Sequence, residues 1–182
     1  METIIKFLYE SVRAGTPLLY GTTGEIITER TGSLNLGVEG MMAMGAIGGY
    51  LLACSSGSLV VGILFAFLFG ALGALIYAFL TVTMQANQNV CGLALTIFGV
   101  GVYRYVGQTI SKANSFPRLG EYPELSEAVA DRGIPYLRDI PYIGKLLFSY
   151  NWFVYLGVVI AILCYIYVSK TRLGLRLRAI GE

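Results

Sequence analysis

The sequence predicts an all-α integral membrane protein, a polytopic helix bundle of about four to five transmembrane helices with one long extracytoplasmic loop. Three observations carry that prediction. Residues 40–103 are sixty-four positions without a charged side chain, bounded by Glu39 and Arg104. A soluble domain needs surface charge to stay dispersed, so it does not leave such a gap. Two polar breaks divide the run, Ser55-Ser56-Gly57-Ser58 and Gln85-Ala86-Asn87-Gln88-Asn89. One crossing takes roughly 20 apolar residues, and the run holds about three. A further apolar stretch, residues 152–169, leads into Lys170, Arg172, Arg176 and Arg178 with no acid among them. Lipid offers the backbone no hydrogen bonds, and apolar runs without alternation satisfy it as helices rather than as barrel strands.

The composition narrows the chemistry. Twenty-three glycines would weaken soluble helices, but in lipid small residues let helices approach closely. There is no histidine, which excludes His-based triads, His metal sites and imidazole proton relays. Cys54, Cys91 and Cys164 lie far apart in apolar segments and match no metal or redox spacing, so they read as small buried hydrophobes. A net charge of +2 is too small to point to nucleic acid. No cofactor or metal is expected. Glu2, Lys6, Glu10 and Arg13 are mixed in sign with no clean apolar core after them, so no cleavable signal peptide is expected either.

In residues 1–14, Ile4, Ile5, Leu8 and Val12 share one helical face, which suits an interfacial helix or the start of a longer kinked one. Thr16-Pro17 reads as a cap followed by proline at a first helical position. Residues 17–30 begin apolar but carry Glu25, Glu29 and Arg30, a poor lone span that should be packed inside the bundle or re-enter it. Residues 31–40 are rich in glycine and polar groups and lead into the first clear span, 40–54. Gly45 and Gly49 there, then Ala66, Gly70 and Ala74 in the next span (59–84), repeat small-xxx-small spacing and predict close helix contacts. A third span covers 90–110, with Arg104 snorkelling near its far end. Residues 111–151 hold five basic and five acidic residues and four of the five prolines, so they form the long polar loop, with a short helix around 124–129. The last span, 152–169, has aromatic ends in Trp152, Phe153, Tyr165 and Tyr167. The basic cluster after it places the C-terminus in the cytoplasm, which puts the 111–151 loop and the 55–58 turn outside and the 85–89 turn inside.

Four stretches then form a pattern. The first is Gly24-Glu25-Ile26-Ile27-Thr28-Glu29-Arg30-Thr31-Gly32, continuing through Asn35-Leu36-Gly37-Val38-Glu39-Gly40-Met41-Met42. The second is Ala86-Asn87-Gln88 with Gly92-Leu93-Ala94-Leu95, and the third Asp139-Ile140-Pro141-Tyr142-Ile143-Gly144. The fourth is Thr171-Arg172-Leu173-Gly174-Leu175-Arg176-Leu177-Arg178-Ala179-Ile180-Gly181-Glu182. In this order they resemble the permease subunits of bacterial ABC importers of the branched-chain amino-acid/ribose type, most of all the nucleoside-type permeases. Asn89 and Cys91 depart from the pattern, which more often has an apolar residue and a serine there. Members of that family continue past the position of Glu182 with Asn-Pro, a docking helix and further spans. The resemblance therefore covers the N-terminal half or so of such a permease, and it implies a single transmembrane permease domain, 1–182, cut short at its C-terminus.

The resemblance implies a plasma-membrane transport subunit for nucleosides or related sugars and not an enzyme. Its implied partners are cytoplasmic ABC ATPase subunits, a second permease subunit and an extracytoplasmic substrate-binding lipoprotein. No Walker-type phosphate loop is present, which assigns ATP hydrolysis to another chain. The alternatives are a stand-alone secondary transporter or channel, and a membrane anchor without transport. Asn35 and Glu39, four apart, would share one face of a helix and line the translocation pathway, or else form a local cap or an ion pair with Arg30. Asn87 and Gln88 contact solute or make a polar turn between helices. Glu25, Glu29 and Arg30 read as a charged helix end rather than a proton-coupling pair. At the C-terminus, Leu173, Leu175 and Leu177 alternate with Gly174, Arg176 and Arg178, a period that favours an extended segment on the membrane surface. The family resemblance assigns Arg172, Gly174, Arg176, Arg178, Gly181 and Glu182 to placing a cytoplasmic docking surface; a positive-inside stop signal needs only the charges.

Overall fold

The computed structural model describes residues 2–113, 123–131, 133 and 143–181. Their elements are α1 (Glu2–Arg30), α2 (Val38–Ser56), α3 (Leu59–Ala78) running into a π-helical turn (Phe79–Thr83), α4 (Gln88–Ala113), α5 (Pro123–Val129), α6 (Ile143–Leu147), α7 (Trp152–Lys170) and α8 (Arg172–Gly181). Four helical stretches are long and apolar enough to cross a membrane: Val38–Ser56, Leu59–Thr83, Gln88–Lys112 and Trp152–Lys170. These are the four spans the hydropathy predicts, and the short helix expected near 124–129 is α5. The residues fall into two compact units, Ser33–Ala128, and Met1–Gly32 with Val129–Glu182.

In the unit Ser33–Ala128, α2 is the central helix. Forty-four per cent of its apolar window is buried within the chain, against 11% for Leu59–Thr83, whose Phe67 and Leu75 stand fully outward. Outward apolar side chains on spans this long are what a lipid-facing surface requires. Ser56 and Gly57 end α2, the glycine taking φ 65°, a left-handed conformation that favours residues without a Cβ. The chain then returns as α3 against the small residues of α2. A Cβ on Gly45 would lie 2.9 Å from the Ala66 carbonyl oxygen, and one on Gly49 2.7 Å from the Ala66 methyl. A Cβ on Gly62 would meet the Ala53 methyl at 2.6 Å. Helix association in lipid rests on such close van der Waals fit, since no water is displaced between apolar faces. The sequence-predicted contacts Gly45, Gly49, Ala66 and Gly70 are therefore made, while Ala74, predicted with them, is exposed.

On its other side α2 lies on α4 at Gly40 and Gly99, where each glycine faces the other helix's backbone with no room for a side chain. Gly37, just before α2, lies by Gly92 and Leu95 of α4, and Gly40 lies by Leu95, Thr96 and Gly99, so α2 and α4 run in the same direction and α3 runs against both.

In the unit Met1–Gly32 with Val129–Glu182, α1 is one continuous helix with Pro17 inside it. The expected helix start at Thr16-Pro17 is not there. A proline removes a single donor, and Thr16 Oγ1 turns back to donate to the Val12 carbonyl at 2.9 Å instead of capping a new helix. Of the two readings of residues 1–14, the longer helix is the one formed. At 29 residues it is about 43 Å long, and it accompanies α7 from end to end. Tyr9 stacks on Tyr150 with ring centroids 4.8 Å apart, Tyr20 Oη donates to the Phe153 carbonyl at 2.7 Å, and Cys164 Sγ approaches the Thr23 carbonyl at 3.7 Å. The two helices are parallel. At the far end of this contact Arg13 pairs with Asp131 at 3.5 Å, and Asn151 caps α7 by accepting from Phe153 N at 3.2 Å while its amide donates to the Val129 carbonyl.

Candidate functional site

The sequence-predicted residues Asn35, Glu39, Asn87 and Gln88 all lie in the unit Ser33–Ala128, where two non-helical stretches meet. Residues 33–35 carry no helical structure and Leu36-Gly37 form a turn, while 84–87 link the π-helical turn to α4. The first stretch does not lie outside the bundle. It runs beside the opening turns of α4, from Gln88 at its start to Thr96, eight residues or about 12 Å further along. Outside a helix the backbone groups of this stretch lack intrahelical partners, and side chains supply them.

They do so one by one. Gln88 Oε1 accepts from Leu34 N at 3.0 Å, and Tyr77 Oη donates to the carbonyl of the same residue at 2.7 Å. Thr96 Oγ1 donates to the Leu36 carbonyl at 2.7 Å. Asn35, buried at 8% exposure, folds its own Oδ1 back onto Gly37 N at 2.9 Å and points its amide at Met41 Sδ, 3.9 Å away. Gly92 makes the approach possible: a Cβ there would lie 2.9 Å from Leu36 N and 3.0 Å from Gly37 N. The unwound segment is thus braced, held by the end of α3 and the start of α4.

Two expectations change. Asn35 and Glu39 do not share a helix face, because α2 begins at Val38 and Asn35 precedes it in the turn that its side chain closes. Glu39 stands in the first turn of α2, exposed, with no hydrogen bond or ion pair among the described residues. A carboxylate there faces the positive end of the helix dipole. Asn87 is the N-cap of α4, its Oδ1 accepting from Asn89 N at 3.0 Å and Val90 N at 3.2 Å. Tyr77 and Thr96, missed in the sequence, are as much part of the brace as Gln88. Their only sequence signal is a hydroxyl inside an otherwise apolar span.

Replacing Tyr77 with Phe should lower the unfolding midpoint of the purified chain, by the equivalent of about 1–2 kcal/mol for a buried donor lost from a carbonyl. Combining it with Gln88→Leu should cost less than the sum of the two, because both groups hold the backbone of the same residue, Leu34, on adjoining peptide units. Strict additivity in thermal unfolding would mean that Leu34 is not held by both.

The C-terminal residues lie in the other unit and form α8, not an extended strand. Thr171 separates α7 from α8 and serves both: its Oγ1 donates to the Tyr167 carbonyl at 2.6 Å and accepts from Gly174 N at 3.0 Å. Gly174 sits against the Tyr167 and Val168 carbonyls, where only a residue without Cβ fits. Gly181 reaches the end of α1, where a Cβ would lie 2.5 Å from the Arg30 carbonyl oxygen. Gly174, Leu177, Arg178 and Gly181 recur at helical spacing on the inner face, while Arg172 and Arg176 are exposed. The period-two alternation of leucine was coincidental with this period of 3.6. Glu182, and residues 139–142 of the third motif, lie outside the described residues.

Four helices long and apolar enough to cross a membrane, with a non-helical stretch held by side chains ahead of the first of them, describe a multi-pass helical membrane protein. The chain belongs to the family described as the branched-chain amino acid transport system permease component, whose family model matches residues 8–182. It is 33% identical over 174 residues to the nucleoside ABC transporter permease protein NupC of Lactococcus lactis, covering 92% of this chain and 53% of that protein. It is 30% identical over 174 residues to the guanosine ABC transporter permease protein NupQ of Bacillus subtilis, covering 91% and 52%. A third relative, from Haloferax volcanii and provisionally named as the glucose ABC transporter permease protein TsgC13, is 31% identical over 175 residues, covering 96% and 51%. The chain thus spans about half the length of the curated relatives it matches. No solved structure matches it.

Proposed function

We propose that this chain is a permease subunit of an ABC importer and forms part of the translocation pathway for nucleosides or related sugars. Separate cytoplasmic ATPase subunits power it, a second permease subunit completes the pathway, and an extracytoplasmic receptor delivers the solute. The observation that carries this reading is the unwound segment 33–37 braced against α3 and α4, with Glu39 exposed beside it. Transport proteins place polar solute groups at such interruptions, where helix ends and freed backbone groups can serve them. Asn35 and Gln88 hold the segment in shape, and Glu39 is the group free to meet a hydroxylated solute. Relatives named for nucleoside and guanosine transport support the nucleoside choice, and the relative named for glucose supports a sugar.

In this reading α8 lies in the cytoplasm and residues 111–151 outside. Since α1 runs parallel to α7, α1 then crosses as a fifth span, with its first residues on the side of that loop.

Replacing Glu39 with Gln in the cellular gene is expected to reduce nucleoside uptake at least tenfold, a loss on the scale of a hydrogen bond to a charged group, with the protein still inserted and still co-purifying with an ATPase. Undiminished uptake would remove Glu39 from the pathway. Failure to recover any ATPase from detergent-solubilised membranes would favour a stand-alone transporter instead.

A further inference from the structure

We propose that α8 binds anionic lipid headgroups and anchors the end of α7 to a negatively charged membrane leaflet. The proposal rests on α7 being a membrane span and not on the solute or the ATPase. Only Thr171 stands between the two helices, so α8 starts where α7 leaves the bilayer. Its inner face is occupied by Gly174 against α7 and Gly181 against the end of α1. The rest is open, and two kinds of side chain share it. Leu173 is 55% exposed, Leu175 53% and Ile180 72%. Arg172 and Arg176 are exposed among them, with exposed Lys170 at the end of α7.

At about 100° per residue, Leu173 and Ile180 fall on one flank of the helix and Arg172 and Arg176 lie next to it. Exposed apolar side chains beside exposed guanidinium groups, on a short helix at a span's end, suit the boundary between headgroups and acyl chains. The apolar flank enters the boundary and the guanidinium groups meet lipid phosphates, which they can bind in bidentate fashion.

The local charges agree. Arg30 ends α1 beside Gly181, and neither it nor Lys170, Arg172, Arg176 or Arg178 forms an ion pair with a carboxylate among the described residues. Arg178 Nε is buried with no acceptor among them. The acids on the neighbouring helix are Glu25 and Glu29, and Glu25 receives the Thr28 hydroxyl at 3.1 Å. Basic groups outnumber acids here, and an anionic leaflet supplies the missing counter-charge.

The test is native mass spectrometry of the full chain released from nanodiscs of phosphatidylcholine containing about one quarter phosphatidylglycerol. The ratio of phosphatidylglycerol to phosphatidylcholine among the retained lipids should be about tenfold above the bulk ratio, as expected for two basic groups near an anionic surface. The R172Q/R176Q variant should retain both lipids in the bulk ratio, and K6Q, exposed near the start of α1, should behave as the parent. Both substitutions are at exposed positions, and an unchanged helical circular dichroism spectrum will show that the fold is kept. Raising salt to about 1 M, where screening acts within ~3 Å, should reverse the enrichment. Equal retention of the two lipids overturns the proposal, as does an enrichment that R172Q/R176Q leaves intact. So does trypsin protection of Arg172 and Arg176 that appears only on adding a protein partner and not on adding phosphatidylglycerol.

Discussion

A leucine at position 40 should prevent α2 from seating on α4 and leave the unit Ser33–Ala128 unfolded under conditions where the parent chain is intact. Even the first atom of a side chain at Gly40 would collide with the Leu95 carbonyl and come within 2.7 Å of the Thr96 Cα, and these are backbone atoms that no rotamer change can move. Gly99 presents the reciprocal restriction against the Gly40 backbone, so the neighbouring helix cannot yield either. Overpacking of an ordinary core costs about 1–3 kcal/mol because side chains can adjust. Forcing two backbones apart also undoes the brace at Leu34 and Leu36, whose partners Gln88 and Thr96 stand on α4. A loss above about 3 kcal/mol is a large part of the whole stability of a typical domain. Cys54 is a built-in reporter, since its side chain is fully buried. In a C91A/C164A background, thiol labelling on heating should show a strongly lowered midpoint for Gly40→Leu and for Gly99→Leu. Gly101→Ala and Gly107→Ala, at positions with nothing within 4 Å, should leave it unchanged. A normal midpoint for Gly40→Leu would show that α2 and α4 are not in contact there.

The second large effect is expected at Gly174, in the other unit. A leucine there would drive its Cβ into the Tyr167 carbonyl and to 2.6 Å from the Val168 carbonyl oxygen, so α8 must leave the end of α7. The Thr171 cap depends on the same geometry, because its hydroxyl accepts from Gly174 N. A helix of ten residues has little stability of its own once its packing is gone. Arg172, Arg176 and Arg178 then lie in a mobile segment, and trypsin should cut after them about tenfold faster, the change expected from about 1.4 kcal/mol of easier local opening. Cys54 labelling should stay as in the parent, since that cysteine belongs to the unit Ser33–Ala128. Cleavage at the parental rate would mean that α8 is not held through Gly174. If the C-terminal residues place a docking surface, the same variant should also lose its ATPase.

The two variants separate the properties on which the transport reading depends. The first attacks the packing that holds the unwound segment 33–37 against α4, and the second attacks the short helix that follows α7. Thermal labelling and proteolysis read them without requiring transport.

The spans were legible in the sequence for a direct reason. A helix in lipid satisfies its backbone within itself and must show the solvent an apolar surface, so length and composition alone mark it. The glycine contacts between α2 and α3 were legible too, because Gly45, Gly49, Ala66 and Gly70 repeat at the helical period. α1 was only half legible. Its charged residues and Pro17 argue against a span, and its course is decided by partners more than a hundred positions away, Phe153 for Tyr20 and Ser149 for Tyr9. The C-terminal helix was misread, since Leu173, Leu175 and Leu177 happen to alternate, while the inner face at Gly174 exists only because the end of α7 lies against it. The brace was the least visible part. Asn35 and Gln88 draw notice as polar residues near spans, but bringing Gln88 and Tyr77 to the N–H and the carbonyl of Leu34 joins side chains 54 and 43 positions away in the chain. Composition and period determine which segments enter the membrane, because each segment meets that requirement by itself. Where a segment leaves helical form, its backbone must borrow donors and acceptors from other helices, and only the tertiary structure decides which.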